Sequence, residues 1–246
     1  SLGEDDRSTR GVAAAQTVID MLASNDPAPE PGVVPATPSS SSFQGVNCHR
    51  ESENSAKLPA FSKVCWNARR EFQRGCFPDY GVAQELACAI ITWLHNEPST
   101  TGSCKLKMME LLSCMCGRDQ ALDNCILDRG IISILMDLMG NADAPICRVC
   151  LSVTGALSTV PDSDSKINRA GITPVIVSVI HKCESDHIVV AEAATCLAVM
   201  AMRTRHKIAI KKHLGVPELI LKLKKMLNVK SVVVAVARFV ATYAVK

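Results

Sequence analysis

Aromatic residues are scarce: Phe, Trp and Tyr make up 4% of the 246 residues, too few for the bulky inner layers of a β-sandwich or barrel. Long apolar runs are missing as well. The longest near the C-terminus, Val232 to Ala237, falls far short of the roughly 20 residues that cross a bilayer. No charged-then-apolar leader opens the chain, which begins on Ser1 and reads as a processed form or an excerpt. A nucleophile paired with a base, a phosphate loop and an embedded metal motif are all wanting, so no catalytic residue is assigned and neither a cofactor nor a metal is expected. His49, His95, His181, His187, His206 and His213 are scattered and read as surface or packing residues.

What is present favours helices. Hydrophobic residues make up 48% of the chain and charged ones 21%, and the apolar set is dominated by Ala, Val, Ile and Leu, which suit closely packed helices. Twelve cysteines could form a secreted disulfide framework. Their placement argues otherwise: Cys88, Cys114, Cys125, Cys147, Cys150, Cys183 and Cys196 stand among apolar residues in predicted helices, where a free thiol behaves as a small hydrophobe. A reducing, cytoplasmic compartment is therefore expected.

The periodicity divides the chain into three parts. In residues 1–24, Val12, Ala15, Ile19 and Leu22 fall at steps of three and four, the stripe of a short amphipathic helix that nothing nearby continues. Residues 25–60 are rich in Pro and Ser and read as a linker. From 61 to 246 helical periodicity returns. Phe61, Val64, Cys65, Ala68 and Phe72 mark one helix; Val82, Leu86, Ala89, Ile90, Trp93 and Leu94 mark the next; Leu106, Met109, Leu112 and Met115 mark a third that ends at Gly117.

Beyond this point one phrase recurs. Gly130-Ile131-Ile132-Ser133-Ile134-Leu135, Gly171-Ile172-Thr173-Pro174-Val175-Ile176 and Gly215-Val216-Pro217-Glu218-Leu219-Ile220 lie 41 and 44 residues apart, a period expected of two- or three-helix solenoid repeats. Each glycine is read as the sharp reversal between two packed helices, where a positive φ or a missing Cβ is needed. The helix after Gly130 is predicted to stop at Gly140-Asn141 in a left-handed turn. At the offset of 44, Val189, Val190, Ala191 and Ala193 align with Val233, Val234, Ala235 and Ala237. The run Val232 to Ala237 alone suggests a strand, but its helix-forming counterpart makes it helical. Val234, Val236 and Phe239 would then be exposed and in need of cover.

The pattern resembles the armadillo repeat. The glycine phrases and the Ala/Leu-rich helices before them carry the resemblance over about Tyr80 to Lys246, in units near 81–129, 130–170, 171–214 and 215–246. It implies an all-α, right-handed α-solenoid of about four repeats, with a HEAT-like stack as the alternative. The helices after Gly130, Gly171 and Gly215 would line a binding groove. The importin subgroup is not matched, because Trp93 is followed by Asn96 at three residues and Trp66 by Asn67 at one, not by the repeated Trp-to-Asn step of four.

Charge is polarised near the C-terminus. Between Arg203 and Lys230, Arg203, Arg205, Lys207, Lys211, Lys212, Lys222, Lys224, Lys225 and Lys230 face Glu218 alone. The patch suits an acidic segment of another protein or a phosphate backbone, and equally the solvated side of amphipathic helices. Cys147-Arg148-Val149-Cys150 lacks a second pair and reads as core packing, and the cluster Cys104, Cys114, Cys116 and Cys125 matches no metal finger. The expected function is a non-catalytic protein interaction or scaffold module, extending to a structural subunit of a larger cytoplasmic or cytoskeletal assembly. Its groove would receive other proteins, and the C-terminal helix would pack on a partner or on further chain. No membrane is expected, and a basic nucleic-acid-binding adaptor is the alternative, weakened by the lack of stacking aromatics.

Overall fold

A glycine with positive φ opens two of the central helices: Gly130 has φ +79° and ψ 22°, and Gly171 has φ +79° and ψ 32°. A Cβ at either position would meet nothing within 4 Å. The backbone conformation alone, not a lack of space, calls for glycine there.

The computed structural model describes residues 2–23, 63–96, 102–161, 163–213 and 228–244, and no strand occurs among them. The described helices are α1 (Leu2–Ala23), α2 (63–73), α3 (Tyr80–Asn96), α4 (Gly102–Met115), α5 (Gln120–Asp128), α6 (Ile131–Asn141), α7 (Ala144–Leu157), α8 (Ser163–Ala170), α9 (Ile172–Lys182), α10 (His187–Met200), α11 (Thr204–His213) and α12 (Lys230–Ala244). The fold class is all-α. The linker 25–60, Phe61, Gly215 and the helix expected from Val216 to Leu227 lie outside the described residues.

Local chemistry fixes the helix starts. The Asp119 carboxylate accepts the Leu122 N–H at 2.9 Å, and Asp186 accepts the Ile188 and Val189 N–H groups at 3.0 and 3.2 Å, satisfying donors that have no partner within the helix. Pro145 occupies the first turn of α7, where its missing N–H costs nothing. The Val-rich C-terminal run is helical, as its counterpart in α10 requires.

Like helices pack on like helices. α5, α8 and α11 contact one another in order; α3, α6 and α9 do the same; and α4 packs on α7, α7 on α10, and α10 on α12. The members of the last row begin at residues 102, 144, 187 and 230. Their apolar faces merge into one core in which Leu86, Ile90, Leu112, Leu135, Leu151, Ile176, Leu197 and Phe239 lose all solvent contact. Each such side chain contributes about 1.5–3 kcal/mol relative to exposure.

The structure corrects four sequence expectations. Gly140 adopts no positive φ, and α6 runs through Asn141 to a cap at Ala142 with φ −94°. The terminal carbonyls find another partner: Lys182 Nζ of α9 donates to Gly140 O at 3.2 Å and Ala142 O at 2.8 Å, so no left-handed turn is required to satisfy them. The offset between α10 and α12 is 43 residues, from His187 to Lys230. With that register Val189, Ala193 and Cys196 match Val232, Val236 and Phe239, all buried, whereas the offset of 44 pairs buried Val189 and Ala193 with exposed Val233 and Ala237. Val236 and Phe239 accordingly face the core at 8% and 0% exposure, and only Val234 of the three named residues is bare.

The N-terminal helix is the fourth correction. It does not stand apart: α1 packs on α3, with Ala15, Val18, Ile19 and Leu22 buried. The crossing is close, because a Cβ on Gly11 would lie 2.5 Å from Cys76 O, 2.7 Å from Phe77 C and 2.8 Å from Pro78 N. These are backbone atoms that cannot rotate away.

Two substitutions test these backbone constraints. Gly171→Val should lower stability by about 1–3 kcal/mol in thermal or urea denaturation, because a β-branched residue is forced to positive φ; an unchanged Tm would remove that role. Gly11→Ala should displace α1, accelerating hydrogen exchange in residues 13–22 and along the face of α3 that α1 covers, at a cost of about 1–3 kcal/mol for overpacking.

Candidate interaction face

The helices that open at Gly130 and Gly171 present the same positions to solvent. Ser133, Asp137 and Gly140 are exposed on α6, and Pro174, Ser178 and His181, each 41 residues on, are exposed on α9. The residues between them point inward in both helices: Ile131 and Ile172, Leu135 and Ile176, Met139 and Ile180 are buried. Spacings of four and three residues put each exposed set on one helical face. Because α6 packs on α9, the two faces are neighbours. This surface is polar and weakly charged, suited to recognition by shape and hydrogen bonding.

A second surface lies on α12. Its stripe Val233, Ala237, Val240 and Ala244 is exposed, while the equivalent stripe of α10, Val190, Ala194, Leu197 and Ala201, is buried. Cys196 of α10 sits against Gly155 of α7, and α12 packs on α10. On α12 the stripe equivalent to the buried one of α10 stays bare, with Val233 36% and Val240 37% exposed. Sequence reasoning with a 44-residue offset missed this stripe, although matching the buried pattern of α10 at 43 residues would have found it.

The basic residues separate into different roles. Arg203 Nη2 donates to Thr159 O at 3.2 Å, at the carbonyl end of α7, a favourable placement against the helix dipole. Arg205 Nε stands 3.9 Å from Asp164 Oδ2. Lys207 is half-buried, and Lys211, Lys212 and Lys230 are exposed. Lys222, Lys224 and Lys225 lie outside the described residues. At least two of the cations are thus used to join successive parts of the chain.

His206, scattered by sequence, belongs to a buried polar contact between α11 and α8. The ring is fully buried, and its Nδ1 is 2.7 Å from Asn168 Oδ1. Because that oxygen can only accept, Nδ1 carries the proton. Nε2 is buried with no hydrogen-bond partner, a position that disfavours a second proton. Burial pushes the His206 pKa below its ordinary value, Asp164 opposes this, and Arg203 adds to it.

The cysteines follow the packing reading in part. Among the described residues none is in a disulfide; Cys147, Cys150, Cys183 and Cys196 are buried, and Cys88, Cys114 and Cys125 are half-buried. Burial pushes the Cys147 thiol up to about 11 and raises Cys150 further. Cys147 Sγ lies 3.6 Å from both Met139 O and Ala142 O. This pair is held as protonated thiols in a helix core. No group of three or more His, Cys, Asp or Glu side chains among the described residues could hold a metal ion.

Trp66 is half-exposed with the Arg70 guanidinium 5.3 Å from its ring centre, while Trp93 is half-buried on α3. The nearby Arg69 pairs with Glu110 at 2.6 Å, joining α2 to α4.

No family model and no characterised protein matches this sequence. Solved structures do resemble the fold. An engineered protein from the Northeast Structural Genomics Consortium superposes with a TM-score of 0.54 at 19% identity, covering 78% of this chain and 83% of its own. A second engineered protein from the same consortium gives 0.59 at 18% identity, covering 74% and 76%. Identities this low speak to the helical fold alone.

The buried histidine gives a pH dependence. With its folded pKa below 6.5, the unfolded chain takes up the proton first, so stability is full above pH 6.5 and declines as pH falls toward the depressed folded value. Thermal melts between pH 7.5 and 5.5 should show this loss, and His206→Gln should flatten that part of the profile.

Proposed function

We propose that this chain is a non-catalytic α-solenoid of about four armadillo-like units that serves as a protein interaction or scaffold module. The observation that carries the reading is the row α4, α7, α10 and α12, in which each helix packs on the equivalent helix one period earlier. Stacking of repeats in this way leaves an extended surface along the array, the feature such proteins use for binding. The positive-φ glycines and the matched solvent-facing positions of α6 and α9 support three-helix units over two-helix HEAT-like ones. By the same reading the superhelix is right-handed. A place as a structural subunit in a cytoplasmic or cytoskeletal assembly is the setting that suits it.

Partners are assigned to two surfaces. Other proteins would engage the face that includes Asp137 and His181, and the α12 stripe would seat an apolar helix stripe from a partner or from further chain. The exposed cations Lys211 and Lys212 favour acidic segments nearby. A basic nucleic-acid adaptor is the second reading, motivated by the cationic excess between Arg203 and Lys230.

Cross-linking mass spectrometry on the full chain purified with its bound proteins distinguishes these readings. Partner cross-links should map to α6, α9 and α12, and Val240→Glu should abolish those on α12 while changing stability by no more than about 0.5 kcal/mol, as for most surface substitutions. Cross-links confined to the basic segment, with nucleic-acid binding that falls about 10³-fold or more between 50 and 200 mM salt, would favour the adaptor instead.

A further inference from the structure

Helix α2 has two unlike sides. Cys65, Ala68 and Phe72 are buried, while Trp66, Arg70 and Gln73 are exposed and Arg69 is half-buried. Steps of three and four residues bring the latter four onto one stripe, where they line an open cavity of about 290 Å³. That is the lower end of the roughly 300–1,000 Å³ of ligand sites, room for one or two side chains of a partner. The chemistry of the cavity is one-sided. Trp66 is 49% exposed, and the Arg70 guanidinium stands 5.3 Å from the centre of its ring. Among the described residues Arg70 has no carboxylate partner, so its N–H donors remain open to an anion. Arg69 Nη1 pairs with Glu110 at 2.6 Å, but Lys107 Nζ takes the same carboxylate oxygen at 3.1 Å, and Arg69 Nε is buried with no hydrogen-bond partner. One carboxylate thus serves two cations, which leaves an excess of positive charge beside the indole. Arg118 stands likewise over Phe77 at 5.1 Å, but its Nε is committed to the Cys114 carbonyl and the ring is half-buried.

We propose that the Trp66–Arg70 cavity on α2 is a docking site for an acidic segment of another protein, with a Glu or Asp carboxylate seated on the Arg70 guanidinium and an adjoining apolar or aromatic side chain laid on the Trp66 ring. The inference rests on the reading of the chain as a protein interaction module, and it names a surface and a chemistry which that reading does not assign. Donors dominate the lining: two guanidinia, the indole N–H and the Gln73 amide against a single amide oxygen. Such a set takes an anion next to an apolar group. An Arg–carboxylate pair can be bidentate, which gives direction as well as attraction, and Trp and Arg are among the residues that dominate the binding energy of protein interfaces. A nucleic-acid strand fits less well. Such strands are held by successive aromatic platforms along a basic groove, whereas α2 offers one indole, and Arg69 is already paired with Glu110.

The test is fluorescence anisotropy of the full chain with a short fluorescein-labelled peptide in which Glu-Phe pairs alternate with Gly and Ser. Trp66→Ala and Arg70→Gln should each weaken its binding about tenfold or more, as at interface hot spots, while thermal melts stay close to those of the unaltered chain because both side chains are exposed. Arg70→Lys should recover only part of the affinity, since an ammonium lacks the guanidinium fork. A peptide with Gln in place of Glu should bind the unaltered chain as weakly as the Glu peptide binds Arg70→Gln. Lys211→Gln combined with Lys212→Gln should leave the affinity intact, which separates the cavity from general attraction to the basic segment. The proposal fails if the Glu peptide does not bind, if the Gln peptide binds equally well, if Trp66→Ala or Arg70→Gln binds as the unaltered chain does, or if the lysine changes cost as much as the arginine change. It fails too if a uridine oligonucleotide displaces the peptide and itself loses binding in Trp66→Ala. Because the peptide stands in for a natural partner, these outcomes are independent of whether cross-links map to α6 and α9.

Discussion

Burial of each helix against the equivalent helix one period away is the interaction on which the rest of the structure depends. α7 cannot cover its apolar sides alone; it is closed on one side by α4 and on the other by α10. Short sequence separation between packed neighbours keeps the loop-closure cost low, so the core can be extended a unit at a time. Cooperativity follows from the same geometry, because a loosened helix exposes the stripes of both its neighbours.

Such an arrangement has to be finished at its ends, and the two described ends differ. At the N-terminal side α1, which belongs to no glycine phrase, lies on α3 and is locked by the close backbone approach at Gly11. At the C-terminal side α12 repeats the outward stripe of α10 with nothing on it among the described residues. The same four positions are therefore core in one helix and surface in the next. The side chains hardly differ in kind; the presence of a following helix makes the difference.

Polar groups reinforce the joints between units. Lys182 reaches back to the end of α6, Arg203 to the end of α7, and Lys166 pairs with Asp128 of the preceding short helix. Exposed contacts of this type contribute little individually, but those of Lys182 and Arg203 satisfy carbonyls at and just beyond the helix ends. They also explain why part of the basic segment is structural. Glu192 shows the same behaviour inside the joint: burial raises its pKa, and Arg148 and Ser152 of α7 counter the effect.

The sequence by itself determined the helical class, the positions of most helices and the two glycine reversals that open α6 and α9, because these follow from local periodicity and backbone sterics. Even the helical state of the Val-rich run at 232–237 was legible, through its counterpart in α10. Only the tertiary structure decided the register of α12, the docking of α1, the end of α6 at Ala142 and the partnership of His206 with Asn168. Each of those depends on which chemical group arrives from elsewhere in the chain: Lys182 for the carbonyls of α6, Asn168 for His206, the Cys76–Pro78 backbone for Gly11. Periodicity reports which face of a helix is apolar, but the neighbour that covers that face is chosen by packing between segments distant in sequence.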